Sequence, residues 1–258
     1  MKQYTINEIT SILNNRTIDQ KLLKELKKDS RKGVIKLIDQ YEKEQQEFLL
    51  QKKHWKQMTT YEKELHGLGY SLVAGVDEVG RGPLAGPVVA SAVILPRQVE
   101  LLGINDSKQL TDAKKEYYFQ LIQDVAISIG IGFIHAQKID EVNIYEATKL
   151  AMKEAITQLK PMPDFLLIDA MKLELDIKQK SIIKGDQNSA SIAASSIIAK
   201  VTRDNYMKKL AEEYPQYGFQ NHMGYGTKQH LEAISLNGII SEHRRSFAPI
   251  KEVASSKS

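Results

Sequence analysis

The stretch VAGVDEVGRGPLAGP, residues 73–87, closes a branched apolar run with two adjacent acids and continues through Gly-Arg-Gly, Pro and Gly. Short branched runs bounded by glycine and proline form buried strands. Residues 72–76 and 88–95 therefore predict two strands joined by this turn. Further along, the spacing predicts a helix over Asp112–Val125 behind Thr111, a strand over Ala126–His135 and one long helix over Ile139–Leu159. Strands at Phe165–Asp169 and Ser181–Lys184 and a helix from Ser189 to Glu213 follow. Strands first and alternation afterwards give an α/β class, a mixed sheet with helices on its faces.

Upstream of this stretch the composition changes. No proline precedes Pro83, and the first 66 residues hold a single glycine, Gly33. Thr5-Ile-Asn-Glu8 and Thr17-Ile-Asp-Gln20 match the capping box, in which a hydroxyl and a Glu or Gln satisfy the free amides of a helix start. Val34, Leu37, Ile38, Tyr41, Phe48 and Trp55 recur at roughly helical spacing, and a further short helix is expected from Thr59 to the stop at Gly67 and Gly69. Residues 1–70 thus form a helical N-terminal extension, residues 71–250 the main domain with a C-terminal helical segment, and 251–258 a disordered tail.

Charge follows the same division. The chain has 258 residues and a net charge of +4. Residues 1–70 carry 14 Lys and Arg against 10 Asp and Glu, and the remainder carries 22 of each. The whole surplus lies on the extension, which suits a polyanion-binding element as well as a solvated helical surface. There is no cysteine, so disulfides and thiolate metal sites are excluded. The N-terminus lacks the apolar core of a secretion signal, and no apolar run nears the ~20 residues that span a bilayer. A cytoplasmic protein without membrane contact is expected, and no sequence feature calls for more than a monomer.

Three apolar runs end in or near acids: Asp77 and Glu78, then Asp169 after LLI, then Asp186 after SIIKG. One acid at a strand end is commonly a solvated turn residue. Several gathered at neighbouring strand ends repel one another and require cations. Oxygen donors without cysteine favour Mg2+ or Mn2+, with a shell completed by water and substrate phosphate. Arg81 between two glycines offers planar donors to a phosphate where the backbone can come close. Taken alone it is an exposed arginine in a tight connection.

GVDEVGRGPLAGPVV, the loop NDSKQLT from Asn105, LLIDA at 166–170, IIKGDQNSASIAASSIIAKVTRD from Ile182, HMGYGT at 222–227 and EHRRSFAP at 242–249 run in order along the main domain. This series resembles the bacterial ribonuclease HII family. The resemblance implies an RNase H-like fold that hydrolyses the RNA strand of RNA/DNA hybrids. It also implies incision of ribonucleotide-containing duplex DNA, leaving 3′-hydroxyl and 5′-phosphate ends. The catalytic, metal-holding acids it implies are Asp77, Glu78, Asp169 and Asp186, around two divalent ions, Mg2+ or Mn2+. Asp77 would be the bridging ligand. Glu78 would act through its side chain, its backbone carbonyl or a substrate contact, because strand alternation points neighbours to opposite faces unless the strand breaks. Gly80, Arg81 and Gly82 would read the 2′-hydroxyl, and Tyr225 would stack at the RNA-to-DNA junction. The related ribonuclease HIII family carries lysine between those glycines, so Arg81 favours the HII branch. Lys108, Lys184, His243, Arg244 and Arg245 would contact backbone phosphates. Free amides at the start of the Ser/Ala-rich helix would be open to a phosphate. Asp204 would be an outer ligand or pair with Arg203 or Lys208. A catalytically silent hybrid-binding protein and a different nuclease on the same fold stand as the alternatives.

Overall fold

The computed structural model describes residues 4–14 and 18–255. The chain divides into two compact units between His54 and Trp55. In the first, α1 (Ile6–Asn14), α2 (Gln20–Leu26) and most of α3 (Lys32–Met58) enclose a small core of Ile9, Leu13, Leu26, Val34 and Ile38. The first capping box forms as expected: Thr5 N–H donates to Glu8 Oε2 at 2.7 Å and Glu8 N–H to Thr5 Oγ1 at 3.3 Å. The second rests on Thr17, which lies outside the described residues; Asp19 is the residue that precedes α2.

The second unit begins ahead of the composition break, because Trp55, Met58 and Leu65 bury themselves in its core. It contains the end of α3, α4 (Thr60–Gly67), β1 (Val73–Val79), β2 (Val88–Ile94), α5 (Asp112–Val125), β3 (Ser128–Ile134), α6 (Ala136–Val142) and α7 (Ile144–Thr157). After these come β4 (Phe165–Asp169), β5 (Lys178–Ile182), α8 (Gly185–Asn188), α9 (Ala190–Glu213), α10 (Phe219–His222), α11 (Lys228–Asn237) and α12 (Ile250–Ser255). The sheet is five-stranded in the order β3-β2-β1-β4-β5. β2 is antiparallel to both β1 and β3, while β4 is parallel to both β1 and β5. Among the described residues no helix is long and apolar enough to cross a membrane.

Alternation along the strands sends Ala74, Val76, Ala92 and Ile94 to the face covered by α7. Val93, with Ile129 and Ile131, faces the opposite layer, where Ala190, Ala193, Ala194 and Ile197 of α9 and Tyr118 and Ile122 of α5 pack. The Ser/Ala run brings α9 close to β1: a Cβ on Gly75 would fall inside the backbone of Ser191 and Ile192. One of its buried serines, Ser195, is bonded to the sheet. Ser195 Oγ donates to Ser91 O at 2.6 Å, and Ser91 Oγ donates to Ser195 O at 2.7 Å.

Three expectations are corrected. The long helix breaks at Asn143, which has a φ of 71° and accepts hydrogen bonds from the N–H groups of Tyr145 and Glu146, capping α7. β5 lies at Lys178–Ile182, earlier than the apolar residues suggested, because parallel pairing with β4 selects a mostly exposed polar strand. Lys184 has instead turned into the left-handed region. The supposed tail is helical through Ser255, anchored by buried Ile250 and by Lys251 N–H donating to Phe247 O.

Gly75→Ala is expected to destabilise the protein by about 3 kcal/mol, the upper part of the usual overpacking range, read from the urea midpoint. Gly67→Ala, where nothing lies within 4 Å of the added methyl, should leave that midpoint nearly unchanged.

Candidate active site

The acids meet where β1 and β4 end side by side. The parallel register pairs Val76 with Ile168, so Asp77 and Asp169 follow on adjacent strands. Asp77 is 5% exposed, on the α9 side of β1, and its N–H donates to Ser195 Oγ at 3.0 Å. Asp186 enters through α8, next to Gly185, whose N–H donates to Asp169 Oδ1 at 2.6 Å. Burial, then the charges of Glu78 and Asp169, holds the Asp77 carboxyl well above the usual carboxylate range. Burial raises Glu78 as well, opposed by Arg81 and reinforced by Asp169. Asp186 is pushed up to about 6 by burial, then by Asp106 and Asp169. Although β1 continues unbroken to Val79, both Asp77 and Glu78 feel Asp169.

Asp106 is a participant that the sequence reading passed over. It is buried, shares a hydrogen bond with Asp186 and accepts from Gln187 Nε2 at 3.3 Å. Its available signal was conformational: it caps the short turn Ser107–Gln109 by accepting from Lys108 N–H at 2.9 Å. The same turn explains why exposed Lys108 acts on Asp186, lowering its pKa.

Among the described residues no three Asp, Glu or His side chains already form a closed metal cage. The donor chemistry nevertheless fits a hard dication. Glu78 Oε2 is buried without a hydrogen-bond partner, and the acids destabilise one another's charged forms. Such a set gains most from an ion that also accepts water and phosphate oxygens. Glu78, Asp77, Asp169 and Asp186 are the residues that could hold it.

The glycine loop adjoins these acids. Arg81 Nη1 lies 3.4 Å from Glu78 Oε1, with its side chain 46% exposed. Gly80 has a φ of +89°, and a Cβ there would strike the Arg203 side chain. Two buried guanidiniums hold the loop by its carbonyls. Arg203 donates to Pro87 O at 2.9 Å, Ala85 O at 3.2 Å and Met223 O at 3.0 Å. Arg244 donates to Arg81 O at 2.9 Å, to Gly86 O at 2.8 Å and to Gly80 O. With its carbonyls bound from behind, the loop presents its outer side to solvent around exposed Arg81 and Gly82. Tyr225 stands beside it, since a Cβ on Gly82 would lie 3.6 Å from the Tyr225 ring.

Several expected phosphate contacts are corrected. Arg244 and His243 are 0% and 1% exposed and bonded inward, so neither offers a donor to a duplex. Arg245 and Lys184 are exposed, and Arg245 N–H is anchored on Asp140 Oδ2 at 2.8 Å. The first amides of α9 are already occupied: Ser191 N–H donates to Glu62 Oε1 at 3.0 Å and Ile192 N–H to Ser189 Oγ at 3.3 Å. Asp204 pairs with Lys200 at 2.7 Å, one turn back on α9, instead of with Arg203 or Lys208.

The raised Asp186 carries a sign that can be measured. A carboxyl with an ordinary unfolded pKa near 3.9 and a folded value of about 6 contributes full stability below the lower figure. That contribution is lost as pH rises through the higher one. In chelator, Asp186→Asn should therefore be more stable than wild type at pH 8 and lose this advantage towards pH 4. Denaturant midpoints across that range test the prediction, and a flat difference would contradict it.

Two family models match the chain, ribonuclease HII over residues 74–250 and the ribonuclease HII N-terminal domain over residues 5–66. A ribonuclease HII of Geobacillus sp. (strain WCH70) is 56% identical over 260 residues, spanning 100% of this chain and 93% of the relative. One from Bacillus cytotoxicus is 51% identical over 258 residues and 100% of both chains. The crystal structure of ribonuclease H2 from Pyrococcus horikoshii OT3 superposes with a TM-score of 0.63 at 26% identity, covering 72% of this chain and 98% of that one. Bst-RNase HIII, solved in complex with Mn2+, shares the fold at 21% identity, with a TM-score of 0.58 over 74% of this chain and 71% of that one. With matching models along nearly its whole length and relatives above half identity, the chain belongs to the ribonuclease HII family.

Proposed function

We propose that the chain, as a metal-dependent endonuclease of RNA/DNA hybrids, also incises duplex DNA on the 5′ side of a single embedded ribonucleotide, leaving 3′-hydroxyl and 5′-phosphate ends. The observation that carries this reading is the Glu78–Arg81 pair, which joins the acidic group to the glycine loop beside Tyr225. A phosphodiester held at the acids would then have its neighbouring sugar against the loop and the tyrosine ring.

Asp77 would be the shared ligand, held in the sheet by Ser195 and flanked by Asp169, with Asp186 completing the group. Two bound Mg2+ or Mn2+ ions would activate the attacking water and stabilise the leaving 3′ oxygen. Loop groups at Gly80, Arg81 and Gly82 would bond the 2′-hydroxyl that separates RNA from DNA. The Tyr225 ring would stack on the sugar or base at the junction. Lys108, Lys184 and Arg245 would contact phosphates and set register without reading sequence.

The assay uses matched all-DNA, single-ribonucleotide and hybrid duplexes with Mg2+, Mn2+ or chelator. Cutting is expected only where RNA and metal are both present, and indifference to the 2′-hydroxyl would overturn the reading. Outer partners of metal ligands alone are worth about 10- to 100-fold, so Asp169→Asn should lower cleavage by more than this while duplex binding survives.

The first unit serves duplex binding in this reading. Lys21 and Lys24 of α2, Lys28 in the turn that follows, and Lys32 and Lys36 of α3 are all exposed, and contact with phosphates would release counterions. Truncation after His54 spares Trp55 and Glu62, which belong to the second unit. This variant should bind hybrid more weakly and with a shallower salt dependence, and unchanged affinity across salt would remove the extension from binding.

A further inference from the structure

We propose that His230 and His243 are positioning residues that fix the Tyr225 main chain, and through it the ring, against the glycine loop. The inference rests on the reading of Tyr225 as the residue that meets the ribonucleotide junction.

Tyr225 is 47% exposed, yet its carbonyl is reached from behind by a directed chain of hydrogen bonds. Ile240 N–H donates to His243 Nδ1 at 2.9 Å, which leaves the proton of that ring on Nε2. His243 Nε2–H then donates to His230 Nε2 at 3.2 Å. His230 must therefore carry its proton on Nδ1, and that N–H donates to Tyr225 O at 2.9 Å. The main-chain groups at the two ends determine both tautomers.

The rings are 0% and 1% exposed and confined by aromatic neighbours. His222 stacks on His230 with centroids 4.6 Å apart, Phe219 meets His230 edge-on at 5.3 Å, and Tyr217 lies 5.1 Å from His243. Burial, and then the imidazole of His230, lowers His243 to about 4; burial lowers His230 to about 4, so both are neutral near pH 7. Apolar side chains would fill this volume without buried polar atoms to satisfy. The imidazoles add direction, and the direction ends on the carbonyl of the residue whose ring lies beside Gly82.

The same short segment holds the other side of the pair. His243 bridges Ala85 through the main chain, and the next residue, Arg244, binds the carbonyls of Gly80, Arg81 and Gly86. Consecutive residues therefore fix both the loop and the tyrosine, which sets the width between them.

The test compares kcat/KM on a single-ribonucleotide duplex and on a continuous hybrid, with Tm followed for every variant. His230→Asn keeps an N–H donor near the Nδ1 position, whereas His230→Gln moves it to the Nε2 position. His230→Gln should lose about 10-fold on the single-ribonucleotide duplex, the worth of one hydrogen bond, with a smaller loss on the hybrid. His230→Asn should restore most of it. In the Tyr225→Ala background, His230→Gln should add little further loss, because residues acting as a unit are not additive. His243→Leu, which strips His230 Nε2 of its donor, should show a weaker version of the same pattern, with rescue by His243→Gln, and is read even if His230→Gln does not fold. Equal losses in the Asn and Gln variants, or full additivity with Tyr225→Ala, would overturn the inference. If Tyr225→Ala left single-ribonucleotide cleavage intact, the reading of Tyr225 would fall and this inference with it. An impaired Tyr225→Ala beside an unaffected His230→Gln would overturn the inference alone.

Discussion

The close seating of α9 on β1 is the constraint on which the site depends. Because Gly75 has no side chain, the helix backbone lies directly on the strand. Ser195 then reaches the main chain of Asp77 and Ser91. The helix starts immediately after Asp186 and α8, and further along it supplies Arg203 to the glycine loop. One packed interface thus sets the depth of Asp77, the approach of Asp186 and the back of the loop. Dense interiors resist change by even one methylene, so this interface transmits position to all three.

The acids illustrate what the scaffold tolerates in order to keep them together. Asp77, Glu78 and Asp186 are all raised by burial and by the charge of Asp169, so the acids are held together against electrostatic repulsion. Such repulsion is expected of a site whose charges are complete only with cation and phosphate present. The rest of the second unit provides the compensation through its continuous apolar layers on both faces of the sheet.

Much of this was legible from local pattern. The limits of α5 and β4 and the Ser/Ala helix behind Ser189 follow from caps and apolar periods. Most of the misses originate in tertiary partners, and Asn143 is the local exception, since it caps residues two and three positions on. Asn143 looks like an ordinary helix residue until its backbone turns and its side chain caps the next helix. β5 is polar and exposed, and only its pairing with β4 makes it a strand. Arg244 and Arg245 are adjacent and chemically identical, yet one is buried among carbonyls and the other is in water. No one-dimensional pattern separates them. Asp106 escaped for the same reason, since its importance comes from Asp186, which reaches it only through folding.

The buried arginines have a consequence for recombination between relatives. Arg203 and Arg244 direct these bonds to main-chain carbonyls at 80, 81, 85, 86, 87 and 223, so what they recognise is a backbone path and not particular side chains. A glycine-loop segment transplanted from a homologue would be accepted with many different sequences, provided its trace is conserved and positions 80 and 86 stay glycine. A graft that shifted that trace would have to bring the 223 turn and the 242–244 segment with it, so these three stretches constitute a single exchangeable module.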